Sequence, residues 1–378
     1  TDLIAWSEEL LDEHERQLFG DLSVFSGPVT IEDVVGALTT PGADRLRIID
    51  GLTSLVDRSL VAAELTTQPA TYRLLETTKS HARAHAADRV HRRHAEWFLE
   101  VADQADRDLR TVREQLGNDR LVAVFPELRA AHAWAREHDH DLACRITGAM
   151  SHFGHSRLRN EPARWAADLL ARLAPDHPLA GLVVAALAGD AANRSDYDAA
   201  TDLAQRALGS PDLRAEVSAL ESLSDVALYS GDLAASERFS KQIAAIGESS
   251  DDLYAVMQGY VGQALSRVYG GDPSGALRLI DGVLGRHDFA PSDQAWLTYA
   301  RAEALADHDP AAAIAAYQGA IRLAEPVGGT FIASVSRVSL AATLARHGEA
   351  AEASDAFMSI LGALQRHGNL THAVTTLR

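Results

Sequence analysis

The residues of this 378-residue chain whose type and spacing could do chemistry are its 16 histidines. His81/His85, His91/His94 and His152/His155 stand three or four positions apart, a spacing that on a helix sets two imidazoles side by side as metal ligands. His138/His140 form a fourth close pair. Two ligands do not make a zinc site, and neither CxxC nor HExxH accompanies them. The acids near these pairs are matched by arginines, so they read as surface histidines and no metal is expected. Cys144, the sole cysteine, excludes an internal disulfide. It lies in the helix-forming run LACRITGAM and reads as a buried, inert thiol in a reducing compartment. The carboxylate pair Asp251-Asp252 falls in a turn-like stretch where water would solvate it. GxSxG, GxGxxG and GxxxxGK[ST] are all missing, so the chain reads as a non-enzyme.

Whatever this chain does therefore depends on the elements that arrange its ordinary side chains. Hydrophobic residues make up 47% and charged residues 23%, a globular balance, while aromatics are only 6%. That mix suits helices packed through small residues better than sheets. The longest apolar run, Leu179 to Gly189, is too short to cross ~30 Å of hydrocarbon, and no signal peptide opens the sequence. A soluble, cytoplasmic protein without a membrane partner is the expectation. In that setting the glycosylation patterns Asn193-Arg194-Ser195 and Asn369-Leu370-Thr371 carry no meaning. The net charge of −18 disfavours a nucleic-acid partner gripped across a broad face, because such affinity comes from basic side chains releasing counterions.

From about Leu179 onward one unit recurs: an apolar helix, a Gly- or Asp-marked turn, and an Ala-rich helix. The turns carry Asp196, Asp232, Asp272, Asp309 and Glu349, spaced by 36, 40, 37 and 40 residues. A tetratricopeptide unit is about 34 residues long. Four residues after each acid stands a small side chain (Ala200, Ser236, Ala276, Ala313, Ala353) that lets the second helix approach the first. Eight residues after come Ala204, Ser240, Ile280, Tyr317 and Phe357; eleven after come Ala207, Ile243, Val283, Ala320 and Ile360. These offsets share one helical face. The acid itself falls at the helix start, where exposed N–H groups favour negative charge. An irregular unit precedes the five, from HDLACRITGAM to EPARWAADLLARL. In such stacks the first helix of each pair lines the inner wall. Counting back from the turns places Glu221, Asp225, Tyr229, Gln258, Tyr269 and Arg346 there, an acidic and aromatic groove.

The first hundred residues have another rhythm. HERQLFGDLSVF reads as a helix, Gly27-Pro28 breaks it, and Thr30 caps a second helix, TIEDVVGAL. After Pro41-Gly42 a third helix, RLRIIDGLTSLVDRS, offers Leu46, Ile49, Leu52, Leu55 and Val56 as its apolar face. LVAAEL and TYRLL flank the polar turn TTQPA as a two-stranded hairpin. Three short helices and a hairpin make a winged helix. Its third helix sets Asp44, Asp50 and Asp57 beside Arg45, Arg47 and Arg58, and residues 1–100 hold 17 acids against 10 bases. Sequence readers bring a net positive element to the major groove, so DNA reading is the second hypothesis rather than the first.

The ordered series AWSEELLDEHERQLFGDLSVFSGPVTIEDV, LTSLVDRSLVAAE, TYRLLETTKSHARAHA, HRRHAEWFLEVADQAD and ELRAAHAWAREHDHDLACRITGAM resembles the tail of bacterial STAND-class signalling ATPases of the NB-ARC branch. Such proteins occur as large actinobacterial transcriptional regulators. The resemblance implies an effector domain, a nucleotide-binding switch, a winged helix and a repeat sensor, in that order. It makes this chain the part that follows the ATPase module, with ATP or ADP bound upstream and no cofactor of its own. In some relatives a Met-His-Asp motif at the end of the hairpin touches the nucleotide. The matching segment here is Arg73-Leu74-Leu75-Glu76, with Leu75 in place of the His and Glu76 in place of the Asp. A leucine cannot hydrogen-bond a phosphate, which puts direct nucleotide contact in doubt. Arg73 and Glu76 are the candidates for the side facing the upstream domain.

The resulting expectation is a mainly α chain: a winged helix with a small β-hairpin over 1–80, a helical linker over 81–145, and an α-solenoid of tetratricopeptide-like helix pairs over 146–378. Its function would be non-catalytic regulation, with the repeats binding a protein, peptide or small-molecule signal that controls the upstream switch. Oligomerisation on activation would follow from such a switch. The alternative is a transcriptional regulator that binds DNA through the winged helix.

Overall fold

A computed structural model describes residues 10–39, 45–82, 88–174 and 176–347, together with 353, 354, 357, 358 and 360. The Pro41-Gly42 break with Asp44, His85, the Glu349 turn and the Asn369-Leu370-Thr371 pattern lie outside the described residues. Two compact units emerge. One comprises residues 1–103 and 120–146, the other residues 104–119 and 147–378. Residues 104–119, within the stretch expected as a linker, thus group with the repeats, and residues 81–103 and 120–145 group with the winged helix.

The first unit starts with α1 (Glu13–Asp21). Asp12 caps it by accepting from the Glu15 backbone N–H at 2.8 Å, and the Glu15 side chain accepts back from Asp12 at 3.0 Å. A 3-10 turn over Leu22–Val24 leads to β1 (Val29–Thr30). Next comes α2 (Ile31–Leu38), whose Thr30 hydroxyl caps Asp33 at 3.2 Å. Helix α3 (Arg45–Asp57), strands β2 (Val61–Glu64) and β3 (Thr71–Leu74), and α4 (Glu76–Ala82) complete the winged helix. The strands are antiparallel in the order β1-β3-β2, with Val61 opposite Leu74 and Val29 opposite Tyr72. The hairpin thus acquires a third strand from the segment that also caps α2. The buried face of α3 is Ile48, Gly51, Leu52 and Leu55, while Leu46 is 65% exposed. Two positions from Ile48 is about 200° around a helix, which puts Leu46 on the opposite side from the core it was expected to join.

Helices α5 (Asp88–Leu109) and α6 (Glu114–His138) supply the rest of this unit through residues 88–103 and 120–138. They grip the winged helix through buried charge. Glu127, 1% exposed, accepts from the backbone N–H of Ser26 at 2.7 Å and of Gly27 at 2.6 Å, and pairs with His94 Nε2 at 2.8 Å. Asp33, 1% exposed, accepts from Trp97 Nε1 at 3.1 Å and from both terminal nitrogens of Arg120. Lys79 Nζ donates to the Phe25 carbonyl at 2.6 Å. A carboxylate taken out of water persists only when its lone pairs are satisfied, and both of these are. Gly36 lets α2 lie on α5, since a Cβ there would fall 2.4 Å from the Trp97 ring.

The second unit is built from helix pairs. Helix α7 (His140–Ser156), whose residues from 147 onward belong here, pairs with α8 (Glu161–Leu170). Then follow α9 (Ala180–Asn193) with α10 (Tyr197–Ala207), α11 (Leu213–Ser230) with α12 (Leu233–Ser250), and α13 (Leu253–Tyr269) with α14 (Pro273–Leu284). Helix α15 (Pro291–Leu305) pairs with α16 (Pro310–Ala324), and α17 (Thr330–Arg346) opens a final pair. Asp196, Asp232, Asp272 and Asp309 each cap the second helix of a pair, accepting from the N–H three residues on at 3.3, 3.0, 2.8 and 3.0 Å. The small residues four positions after the turn acids are all buried, from 0% exposure at Ala200, Ser236, Ala276 and Ala313 to 1% at Ala353. Ile243, Val283, Ala320 and Ile360 are buried behind them. The Ser236 and Ser240 hydroxyls bond to Ser224 at 3.1 and 2.9 Å, so neither is left orphaned.

Residues 104–119 fasten to this stack through Glu114. Its buried carboxylate accepts from Arg157 Nη2 at 2.8 Å, from the Ser292 backbone N–H at 2.7 Å and from the Ser292 hydroxyl. An anion at the first turn of α15 is where the helix dipole favours one. No helix among the described residues is long and apolar enough to cross a membrane.

Candidate functional site

The first helix of each pair faces inward, and successive helices each contribute one row of side chains to a common hollow. Helix α7 supplies His152 and His155; α9 supplies Asn193; α11 supplies Glu221, Asp225 and Tyr229 at the i, i+4, i+8 spacing of one face. Helix α13 supplies Tyr254, Gln258 and Tyr269, α15 supplies Trp296 and Tyr299, and α17 supplies Phe331. The hollow comprises two lobes, which share His155, Ala192, Asn193, Glu221 and Asp225.

Glu221 stands at the junction. Its carboxylate accepts from Tyr254 Oη at 3.1 Å and from Gln258 Nε2, and His155 Nε2 lies 4.0 Å away. Burial pushes its pKa up to about 8, helped by the Asp225 carboxylate nearby. Burial likewise lifts Asp225 to about 7. The imidazoles move the other way: burial lowers His155 to about 4 and holds His152 well below its ordinary value. Each ring instead meets an aromatic edge, His152 against Tyr254 at 4.7 Å and His155 against Phe331 at 4.9 Å between centroids. At neutral pH both imidazoles are therefore uncharged, and the carboxyls sit near their titration points.

A smaller recess of about 340 Å³ opens beside these lobes and shares His155, Gln258, Trp296 and Phe331 with the second. Asp293 lines it, 4% exposed, with one carboxyl oxygen (Oδ2) buried and without a hydrogen-bond partner. Burial, together with the Glu114 charge, raises its pKa well above the carboxylate range. Arg110 lies over the Tyr254 ring at 4.6 Å and is held by Asp106 at 3.2 Å.

Five of the six residues counted onto the inner wall, Glu221, Asp225, Tyr229, Gln258 and Tyr269, line the same lobe. Arg346 does not; it is exposed and paired with Asp307 at 3.2 Å. Counting back from the turns passed over Trp296, Tyr299 and Phe331, and the spacing of α15 and α17 was the signal for them. His152 and His155, expected as surface histidines, are instead half-buried wall residues, and His94 is buried against Glu127. Among the described residues no three His, Cys, Asp or Glu side chains gather as a metal site. Cys144 is buried in α7, and burial pushes its thiol up to about 12. In the first unit, Arg73 on β3 and Glu76 at the start of α4 are both exposed.

Residues 11–87 match the family of winged helix-turn-helix domains. Two putative HTH-type transcriptional regulators, from Mycobacterium bovis and Mycobacterium tuberculosis, are each 34% identical over 182 residues, 44% of this chain and 20% of theirs. The chain thus matches about a fifth of the length of these curated relatives. A STAND protein with a tetratricopeptide repeat sensor from Pyrococcus horikoshii, a signal transduction ATPase with numerous domains, superposes on 98% of this chain and 53% of its own. The TM-score is 0.54 and the identity 16%. The chain therefore carries a winged helix-turn-helix domain and, in fold alone, is similar to a STAND protein with a tetratricopeptide repeat sensor.

Proposed function

We propose that this chain is the sensing and relay region of a STAND-type regulator. The repeats take up a protein, peptide or small-molecule signal in their hollow, and the winged helix passes the change to a nucleotide-binding switch upstream, where ATP or ADP is held. The chain contributes no catalytic group and no cofactor, and it works in the cytoplasm. The reading is carried by one observation. Successive first helices converge on one wall with half-buried titratable groups, a costly arrangement that an inert spacer would replace with apolar packing. It is supported by the likeness in fold to a STAND protein whose repeats are described as a sensor. Removing the repeats from the full-length regulator is expected to change its nucleotide exchange or its oligomeric state; both unchanged would overturn the reading.

A second reading, DNA binding through the winged helix, is favoured by the relatives' description as HTH-type regulators and by exposed Arg45, Arg47 and Arg58 around α3. Asp50 and Asp57 are exposed on the same helix. Salt-steep binding to duplex DNA would establish it.

A further inference from the structure

The repeat hollow also carries information about the chemistry of its ligand. We propose that it holds an organic cation, an alkylammonium or guanidinium group, seated against Glu221 and Asp225 with its stem among the aromatic rings of α11, α13, α15 and α17. The inference rests on the sensor reading of the same hollow and narrows it to one ligand class.

Three observations point this way. First, the lobe that holds Glu221, Asp225, Tyr229 and Tyr269 has no Lys or Arg among the described residues of its lining, while Trp296, Tyr299 and Phe331 close it from α15 and α17. Carboxyls beside aromatic faces attract a cation electrostatically and through the ring quadrupole, and repel an anion. Second, the adjoining recess contains the buried Asp293 carboxyl, whose Oδ2 has no hydrogen-bond partner. A polar ligand group satisfies it; an apolar one leaves it orphaned. Third, the three arginines that line the other lobe are already engaged. Arg110 pairs with Asp106 and covers Tyr254, Arg159 lies over the Phe153 ring, and Arg214 pairs with Asp212.

Uptake of a cation is linked to protons. Glu221 is faced by Asp225 on its own helix, Tyr254 and Gln258 on α13, His155 on α7 and Arg110 in the turn after α5; Asp225 is faced by Tyr229 and Glu221. Burial holds the two carboxyls near 8 and 7, and a bound cation drives both to the charged form with release of protons. Binding therefore tightens as pH rises from 6 to 8.5.

The test is calorimetric titration of the full chain with agmatine, with the peptide Gly-Arg-Gly, and with butyrate and maltose as anionic and neutral controls. Agmatine and the peptide distinguish a free cation from a side chain on a protein partner. Saturable binding of at least one cation, weakened tenfold or more in Glu221→Gln and in Asp225→Asn and unchanged in Arg346→Ala, is the expected result. The two isosteric variants should keep the parent's circular dichroism; if either does not, Trp296→Leu and the pH series on the parent chain carry the decision. Saturable binding of maltose or butyrate but of neither cation would overturn the cation assignment and leave the sensor reading standing. Cation binding equal at pH 6 and 8.5 and equal in the variants would place the ligand outside this hollow and overturn the inference as well.

Discussion

At the scale of single residues the structure turns on groups that water would otherwise solvate. Glu221 has its pKa raised from 4.5 to about 8, so the native state holds a proton that the unfolded chain has released. Stability from this group is complete below the unfolded value of 4.5 and is lost as pH climbs through about 8. The melting temperature should fall between pH 5 and 8, and Glu221→Gln should flatten that slope; an identical slope in the variant would contradict the assignment. His155, lowered to about 4, acts oppositely, its contribution lost as pH drops from 6.5 through 4. Close approach matters as much as charge. A Cβ on Gly259 would meet the Ala244 backbone nitrogen at 2.4 Å, and backbone cannot swing aside. Gly259→Ala should therefore destabilise the repeats by roughly 1–3 kcal/mol, read by denaturant midpoint, despite alanine's better helix propensity.

At the scale of elements, the repeats were legible and the fastenings were not. The repeat signal is local: an acid, a small residue four on, apolar residues eight and eleven on, all within one helix. Asp232 caps α12 and Ser236 packs against its partner much as that spacing requires. Nothing local in the sequence marks Glu127 and Asp33 as buried, because their partners stand some 30 to 100 positions away: Ser26 and His94 for the first, Trp97 and Arg120 for the second. The same distance hid β1, whose pairing with β3 joins residues 29 and 72. Leu46 misled for a simpler reason: apolar type suggested burial, while the helical phase set by Ile48, Leu52 and Leu55 turns it outward. Removing a buried carboxylate strands its partners, so Glu127→Ala leaves two backbone N–H groups and His94 unsatisfied. A loss of about 3–5 kcal/mol should appear in the winged-helix unit, seen as faster amide exchange of Ser26 and Gly27.

At the scale of the whole molecule, charge and concavity argue for reception rather than for gripping nucleic acid. A chain of net charge −18, with Asp50 and Asp57 exposed on the winged helix's third helix, should give no duplex binding that falls steeply with salt between 50 and 200 mM. Fluorescence anisotropy on labelled DNA checks this. The inner wall was only half legible, because counting back from turns identifies which helix faces inward but not which of its residues the superhelix brings to a common point. Five of six residues met in one lobe, while Arg346 turned to Asp307 and three aromatics arrived uncounted. The central claim is that this hollow receives a signal, and a thermal-shift screen of the full chain tests it most directly. At a concentration of 100 Kd a ligand adds about 2.7 kcal/mol, so a true occupant drawn from amines, peptides or sugars should raise the melting temperature by several degrees. That rise should disappear in Asp225→Asn and Trp296→Leu. A rise that survives unchanged in both variants, or no rise from any member of the panel, would contradict it.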